Sequence, residues 1–278
     1  MGRGWLGILA AIGSAACLTA GAAEPPLLDF RSDLAFPPRA VDAFAQRAYQ
    51  ERLAAFRADD RLDRDPAMLA RLTALMARLR AGAEQERPGS GALAWEVHTC
   101  RRCDENASAM AGGKLLVGEE FIARLAPSDD ELGFLLAHEM AHVLAEHTRE
   151  FATAARYFVD NGLNRSYWDI QHELDDSLAV QYRMAFVAAQ QELDADRIGL
   201  ILGARVGLRP RAMLSLLGKL GPSPKSPAPS THPDDERRID QAISMLPSAE
   251  IVRGRAERGA GPRSRPASPA PPRGSWAR

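Results

Sequence analysis

His138-Glu139-Met140-Ala141-His142 decides this chain: it is an H-E-x-x-H within a segment patterned as a helix. Spacing i, i+4 sets both imidazoles on one helical face, a turn apart, where their nitrogens can converge on a single cation. Glu139 stands beside them on the rim of that face, placed to take a proton from a metal-activated water rather than to ligate the metal. Upstream, Ser128-Asp129-Asp130-Glu131 has the S-x-x-E form of a capping box, with acidic residues where a helix N-terminus favours negative charge. Leu132, Leu135, Leu136, Met140, Val143 and Leu144 follow at the spacing of one buried stripe. The helix therefore starts about two turns before His138, which puts both histidines in its rigid middle.

A catalytic zinc needs three protein ligands and a water. His147 lies five residues beyond His142, about 140° round a continuing helix, and so points away from the metal. It is expected at the surface or behind the ligands. Glu192, in Gln191-Glu192-Leu193-Asp194-Ala195-Asp196-Arg197-Ile198-Gly199, is the better third ligand. Glu192 and Asp196 share a helical face, so one carboxylate can bind metal while the other orients a ligand histidine through its free ring N–H. Leu193, Ile198, Ile201 and Leu202 give that helix an apolar face to bury against the first. His232, in Thr231-His232-Pro233-Asp234-Asp235-Glu236-Arg237-Arg238-Ile239, sits between a Pro-rich loop and a charged helical start. From there it could reach an open metal position or stabilise an oxyanion.

Taken in order, His-Glu-Met-Ala-His, Glu192-x-x-x-Asp196 with Arg197 and Gly199, and His232-Pro233 with Arg238 and Ile239 resemble the M48 family of zinc metallopeptidases. Asn106-Ala107-Ser108-Ala109, then Gly112-Gly113-Lys114-Leu115-Leu116-Val117, is similar to that family's edge-strand segment, with Met110-Ala111 where a Leu/Met-Pro pair is frequent. The likeness covers roughly residues 40–245 and is greatest for the soluble periplasmic branch of BepA/LoiP-like proteases. It implies one zinc per chain held by His138, His142 and Glu192, with Glu139 as base. It gives His232 either of two roles, a latch closing the metal's open position or a donor to the transition state.

The chain has 278 residues, 46% hydrophobic and 26% charged, with formal net charge −1. That is ordinary globular composition, and it lacks the basic excess of a nucleic-acid binder. Arg3, the apolar run from Trp5 to Ala20 and the small residues up to Ala23 read as a secretory signal peptide over 1–23. Export to the periplasm is the expected destination, with no transmembrane span in the mature chain. A lipid anchor at Cys17 is the less favoured alternative, because Ser14 occupies the lipobox position where Leu is usual. Cys100 and Cys103 form C-x-x-C, expected as a local disulfide in an exported protein.

Residues 40–83 read as two helices, the first with a stripe of Val41, Phe44, Ala48, Leu53 and Phe56, the second opened by Pro66. Strands are expected at 92–99 and 114–121, and helices or a flap across 150–190. His172-Glu173 lacks a second histidine and reads as surface. Residues 221–231 read as a loop, and 253–278 as a disordered Pro/Arg-rich tail after a peptidase domain over 24–252.

The expected fold is mainly helical α+β, a gluzincin-type domain with a small β-sheet edge over its cleft. The expected function is zinc-dependent endopeptidase action on misfolded or unassembled cell-envelope proteins, outer-membrane assembly machinery being a candidate partner. An exported chaperone or assembly factor with little proteolysis is the alternative from another class, and a thiol-disulfide protein using the two cysteines is a more distant rival.

Overall fold

A computed structural model describes residues 34–103, 106–221 and 236–259. The leader 1–23, Cys17, the 222–231 part of the expected loop and His232 lie outside those residues, as does the chain after 259.

The organising element is α4 (Asp129–Leu144). Its start is fixed by the expected capping box: Glu131 N–H donates to Ser128 Oγ at 3.3 Å, and Ser128 N–H donates to Glu131 Oε2 at 2.6 Å. Burial would raise the Glu131 pKa, but Lys219, Ser215 and Ser128 outweigh it and hold it at about 2. This ties the helix start to a later helix, α8 (Arg211–Leu220). Beyond the cap, α4 is buried on nearly every side and not along one stripe, since Gly133, Ala137 and Ala141 fill the gaps between its larger apolar residues. A helix apolar all round belongs at the centre of its domain, and neighbours surround α4.

The nearest of these is α7 (Leu178–Arg205), which carries Glu192 and Asp196. The two helices meet at glycine: a β-carbon on Gly199 would stand 3.0 Å from the His138 nitrogen and 3.1 Å from the Ala137 carbonyl carbon. Backbone cannot yield there as a side chain would. Gly199→Val is therefore expected to destabilise the protein by about 1–3 kcal/mol and to weaken zinc binding, because it pushes Glu192 away from the histidines; chemical denaturation and zinc titration measure the two effects. An unchanged zinc affinity would show that the crossing does not set the ligand spacing.

α2 (Pro66–Glu86) begins at Pro66, as expected, and packs Leu72, Leu75, Met76 and Leu79 into the same core. α1 (Pro38–Ala58) buries Val41, Ala45, Tyr49 and Leu53, a face turned from the expected one so that Phe44 and Phe56 lie at its flank. Tyr49 sets that turn, its hydroxyl donating to the Leu115 carbonyl at 2.8 Å. Leu115 lies in the middle strand of a three-stranded sheet: β1 (Glu96–Cys100) runs parallel and β2 (Ala107–Met110) antiparallel to β3 (Lys114–Gly118). β1 starts later than expected, since Ser90–Ala92 forms a 3-10 turn, and Glu119 already opens α3 (Glu119–Leu125). Cys100 and Cys103 are joined as the expected disulfide.

The stretch 150–190 holds helices, α5 (His147–Ala155), α6 (Tyr167–Asp176) and the first half of α7, with turns between α5 and α6. With α1 it encloses a satellite core of Phe36, Val41, Tyr167, Ile170 and Met184, and His172 is exposed. α9 (Glu236–Gly259) corrects the expected tail boundary, because the helix runs through Arg253 to Gly259, with Val252 buried against the core. Among the described residues no helix is long and apolar enough to cross a membrane.

Candidate metal centre

α4 and α7 bring His138, His142 and Glu192 together. His138 Nε2 and His142 Nε2 are 3.1 Å apart, and the Glu192 carboxylate oxygens lie 3.4 and 3.3 Å from them respectively. A tetrahedral zinc with bonds of about 2.0–2.1 Å needs ligand atoms about 3.3–3.4 Å apart, and two imidazoles with one carboxylate are a catalytic zinc donor set. The triangle fits that ion in both spacing and chemistry. Among the described residues it is the one trio of such side chains whose ligand atoms all lie within 4.8 Å of one another.

Each imidazole is held from behind. His138 Nδ1 lies 2.9 Å from Asp196 Oδ1, which settles which histidine the Asp orients. His142 Nδ1 lies 2.9 Å from His147 Nδ1. His147 is thus buried behind a ligand, not at the surface, because the helix does not continue: α4 stops at Leu144 and Glu146 turns the chain with φ 57°. Gln191 fixes His147 by donating to its carbonyl at 3.0 Å and to Glu150 at 3.1 Å. Glu139 is also buried, next to His138 in α4.

Sequence reasoning assigned no role to Arg238. Nearly buried on α9, it donates Nε and Nη2 to Asp196 at 2.6 and 2.8 Å, a fork on one carboxylate. Its Nη1 is 2.8 Å from Glu192 Oε2, as an ion pair and not as an aligned hydrogen bond. One guanidinium therefore clamps both the ligand carboxylate and the orienting carboxylate.

These charges set the protonation of the site. Burial alone would push the His138 pKa down, but Glu192 and the Asp196 hydrogen bond outweigh it and lift it to about 10. His142 is pushed down, by burial first and by His138 beside it. Burial works against ionised Asp196, yet His138 and Arg238 hold its pKa below the usual carboxylate value. The metal-free site thus carries a proton on His138 at neutral pH, and a cation must displace it. Up to neutral pH, zinc affinity is expected to rise about tenfold per pH unit, with release of about one proton per ion from His138. Calorimetry in buffers of differing ionisation enthalpy reads that number, and no proton release would refute it.

Comparison with known proteins matches residues 66–245 to the peptidase family M48. Mitochondrial metalloendopeptidase OMA1 of Schizosaccharomyces pombe is 31% identical over 173 residues, covering 59% of this chain and 50% of that protein. OMA1 of Saccharomyces cerevisiae is 27% identical over 171 residues, covering 58% and 49%. The human mitochondrial metalloendopeptidase OMA1 is 27% identical over 186 residues, covering 60% and 35%. The chain spans about half the length of the two fungal relatives and about a third of the human one.

Proposed function

Because the chain belongs to peptidase family M48, we propose that it is a zinc-dependent endopeptidase with His138, His142 and Glu192 as metal ligands and Glu139 as general base. The observation that carries this is the ligand triangle of 3.1–3.4 Å edges, with an acid next to its first histidine that is not part of it. When bound, the zinc supplies a Lewis acid for the scissile carbonyl and makes water acidic enough to attack near neutral pH. Glu139 accepts the proton of the attacking water and returns it to the departing amine. Asp196 fixes the His138 ring so that Nε2 faces the cation, His147 does the same for His142, and Arg238 holds both carboxylates in place.

β2 supports an endopeptidase reading. Among the described residues it is an edge strand of the sheet, next to α4, and an edge strand can pair with the backbone of an extended chain whatever its side chains. Recognition through backbone suits substrates of varied sequence that have lost their fold. We infer misfolded or unassembled cell-envelope proteins as that class, on the signal-like run from Trp5 to Ala20. Metal analysis with a casein-cleavage assay tests the reading. About one zinc per chain, loss of cleavage on chelation and recovery with added zinc are expected; cleavage undiminished in the metal-stripped protein would overturn it.

A further inference from the structure

Two cavities flank the ligand triangle along β2. One, of about 70 Å³, opens beside His138 and Glu139 at Ala107, where the strand begins, and at Asn106 before it, and is walled by Phe121, Leu135 and Met213. The other, of about 270 Å³, opens beside His142 at Ala111 and Gly112, just past the end of the strand, and reaches Asp42 on α1. A base that returns a proton to the departing amine must stand on the amine's side of the scissile bond. Glu139 lines the first cavity and His142 the second. An extended substrate therefore lays its amine side toward the first cavity and its acyl side toward the second, antiparallel to β2.

The charged groups of the larger cavity are unequally engaged. Arg87 donates Nη1 to the Leu144 carbonyl and Nη2 to Glu146 Oε1, each at 2.8 Å. Arg149 donates Nη1 to Glu146 Oε2 at 2.8 Å and its other nitrogens to the Leu34 and Phe36 carbonyls. Both guanidiniums are thus engaged by Glu146 and by backbone carbonyls. Asp42 makes no hydrogen bond or ion pair among the described residues. Its carboxylate lies under the end of the edge strand, 3.7 Å from where a β-carbon on Gly112 would stand. Burial and then Glu146 raise its pKa, and Arg87 offsets this only in part.

We propose that the larger cavity is the subsite for a residue just N-terminal to the scissile bond, and that Asp42 selects lysine or arginine there. A half-buried carboxylate with no fixed partner favours an incoming cation and repels an incoming acid. This selectivity rests on the metallopeptidase reading and goes beyond it by naming the substrate side chain.

The test uses the zinc-loaded full chain and quenched fluorescent peptides that differ only in carrying Lys, Met or Glu at the two positions before the cut. The Lys peptide is expected to exceed the Met peptide about tenfold in kcat/KM, with Glu lowest. In Asp42→Asn the Lys-to-Met ratio falls toward one. The same peptides are also bound to the zinc-loaded Glu139→Gln variant and followed by anisotropy, where the same ranking is expected. Equal cleavage and binding of Lys and Met peptides overturns the subsite, as does a ratio that Asp42→Asn leaves unchanged. A Lys preference in binding without cleavage of any peptide by the wild type sustains the subsite and overturns the peptidase reading instead.

Discussion

Glu139→Gln is expected to lower kcat by about 10²–10⁴-fold, the usual contribution of a positioned general base, while zinc content and fold stay as they are. Gln keeps the shape and the hydrogen-bonding capacity of Glu at a buried position in α4, so packing has little reason to change. It cannot accept the proton of the attacking water. The metal should stay, because the ligand triangle is complete without residue 139. The experiment also separates proteolysis from an exported chaperone with a structural zinc, since a structural site has no use for a base beside its ligands. Suppression of aggregation by the Gln variant with cleavage lost would assign both activities to one chain. Casein cut by the Gln variant at the wild-type rate would remove Glu139 from the chemistry.

The legible part of this centre is the part that helical periodicity encodes. His138 and His142 are four apart, as are Glu192 and Asp196, and each spacing becomes a shared face once the segment is a helix. The capping box at Ser128 and Glu131 was legible for the same reason, since its geometry is complete within four residues. What sequence spacing did not show are contacts made across the chain. Arg238 finds Asp196 from 42 residues away, and its only signal was a place after His232-Pro233 in a family pattern. Which of its two expected places His147 takes, the surface or behind the ligands, depends on a helix break that spacing does not report; a non-glycine residue, Glu146, takes the left-handed conformation there, stabilised by Arg87 and Arg149 on its two carboxylate oxygens. The face of α1 was set by a long-range bond from Tyr49, which local periodicity does not report.

Arg238→Met is expected to destabilise the metal-free protein by about 3–5 kcal/mol, the range for removing one partner of a buried ion pair. Glu192 and Asp196 are 1% and 2% exposed and lie one turn apart on the same face of α7. Without the guanidinium, two buried carboxylates would lose the cation that pairs with both of them. Bound zinc restores part of the missing positive charge, so the loss should be smaller in the zinc-loaded protein, and the difference between the two unfolding curves is the diagnostic quantity. Arg238→Lys keeps a positive charge but cannot hold both oxygens of Asp196 in one plane. Its stability should be nearer wild type, while zinc affinity falls about 10–100-fold because His138 is no longer held in register. Thermal unfolding with and without zinc, together with competition for zinc against a chelator of known affinity, measures both effects. If the Met variant unfolds as the wild type does and holds zinc equally well, the clamp on the two carboxylates contributes nothing to the site. If only the zinc-loaded form is destabilised, Arg238 acts on the metal geometry and not on the buried charge, and the electrostatic account of α9 docking against α7 fails.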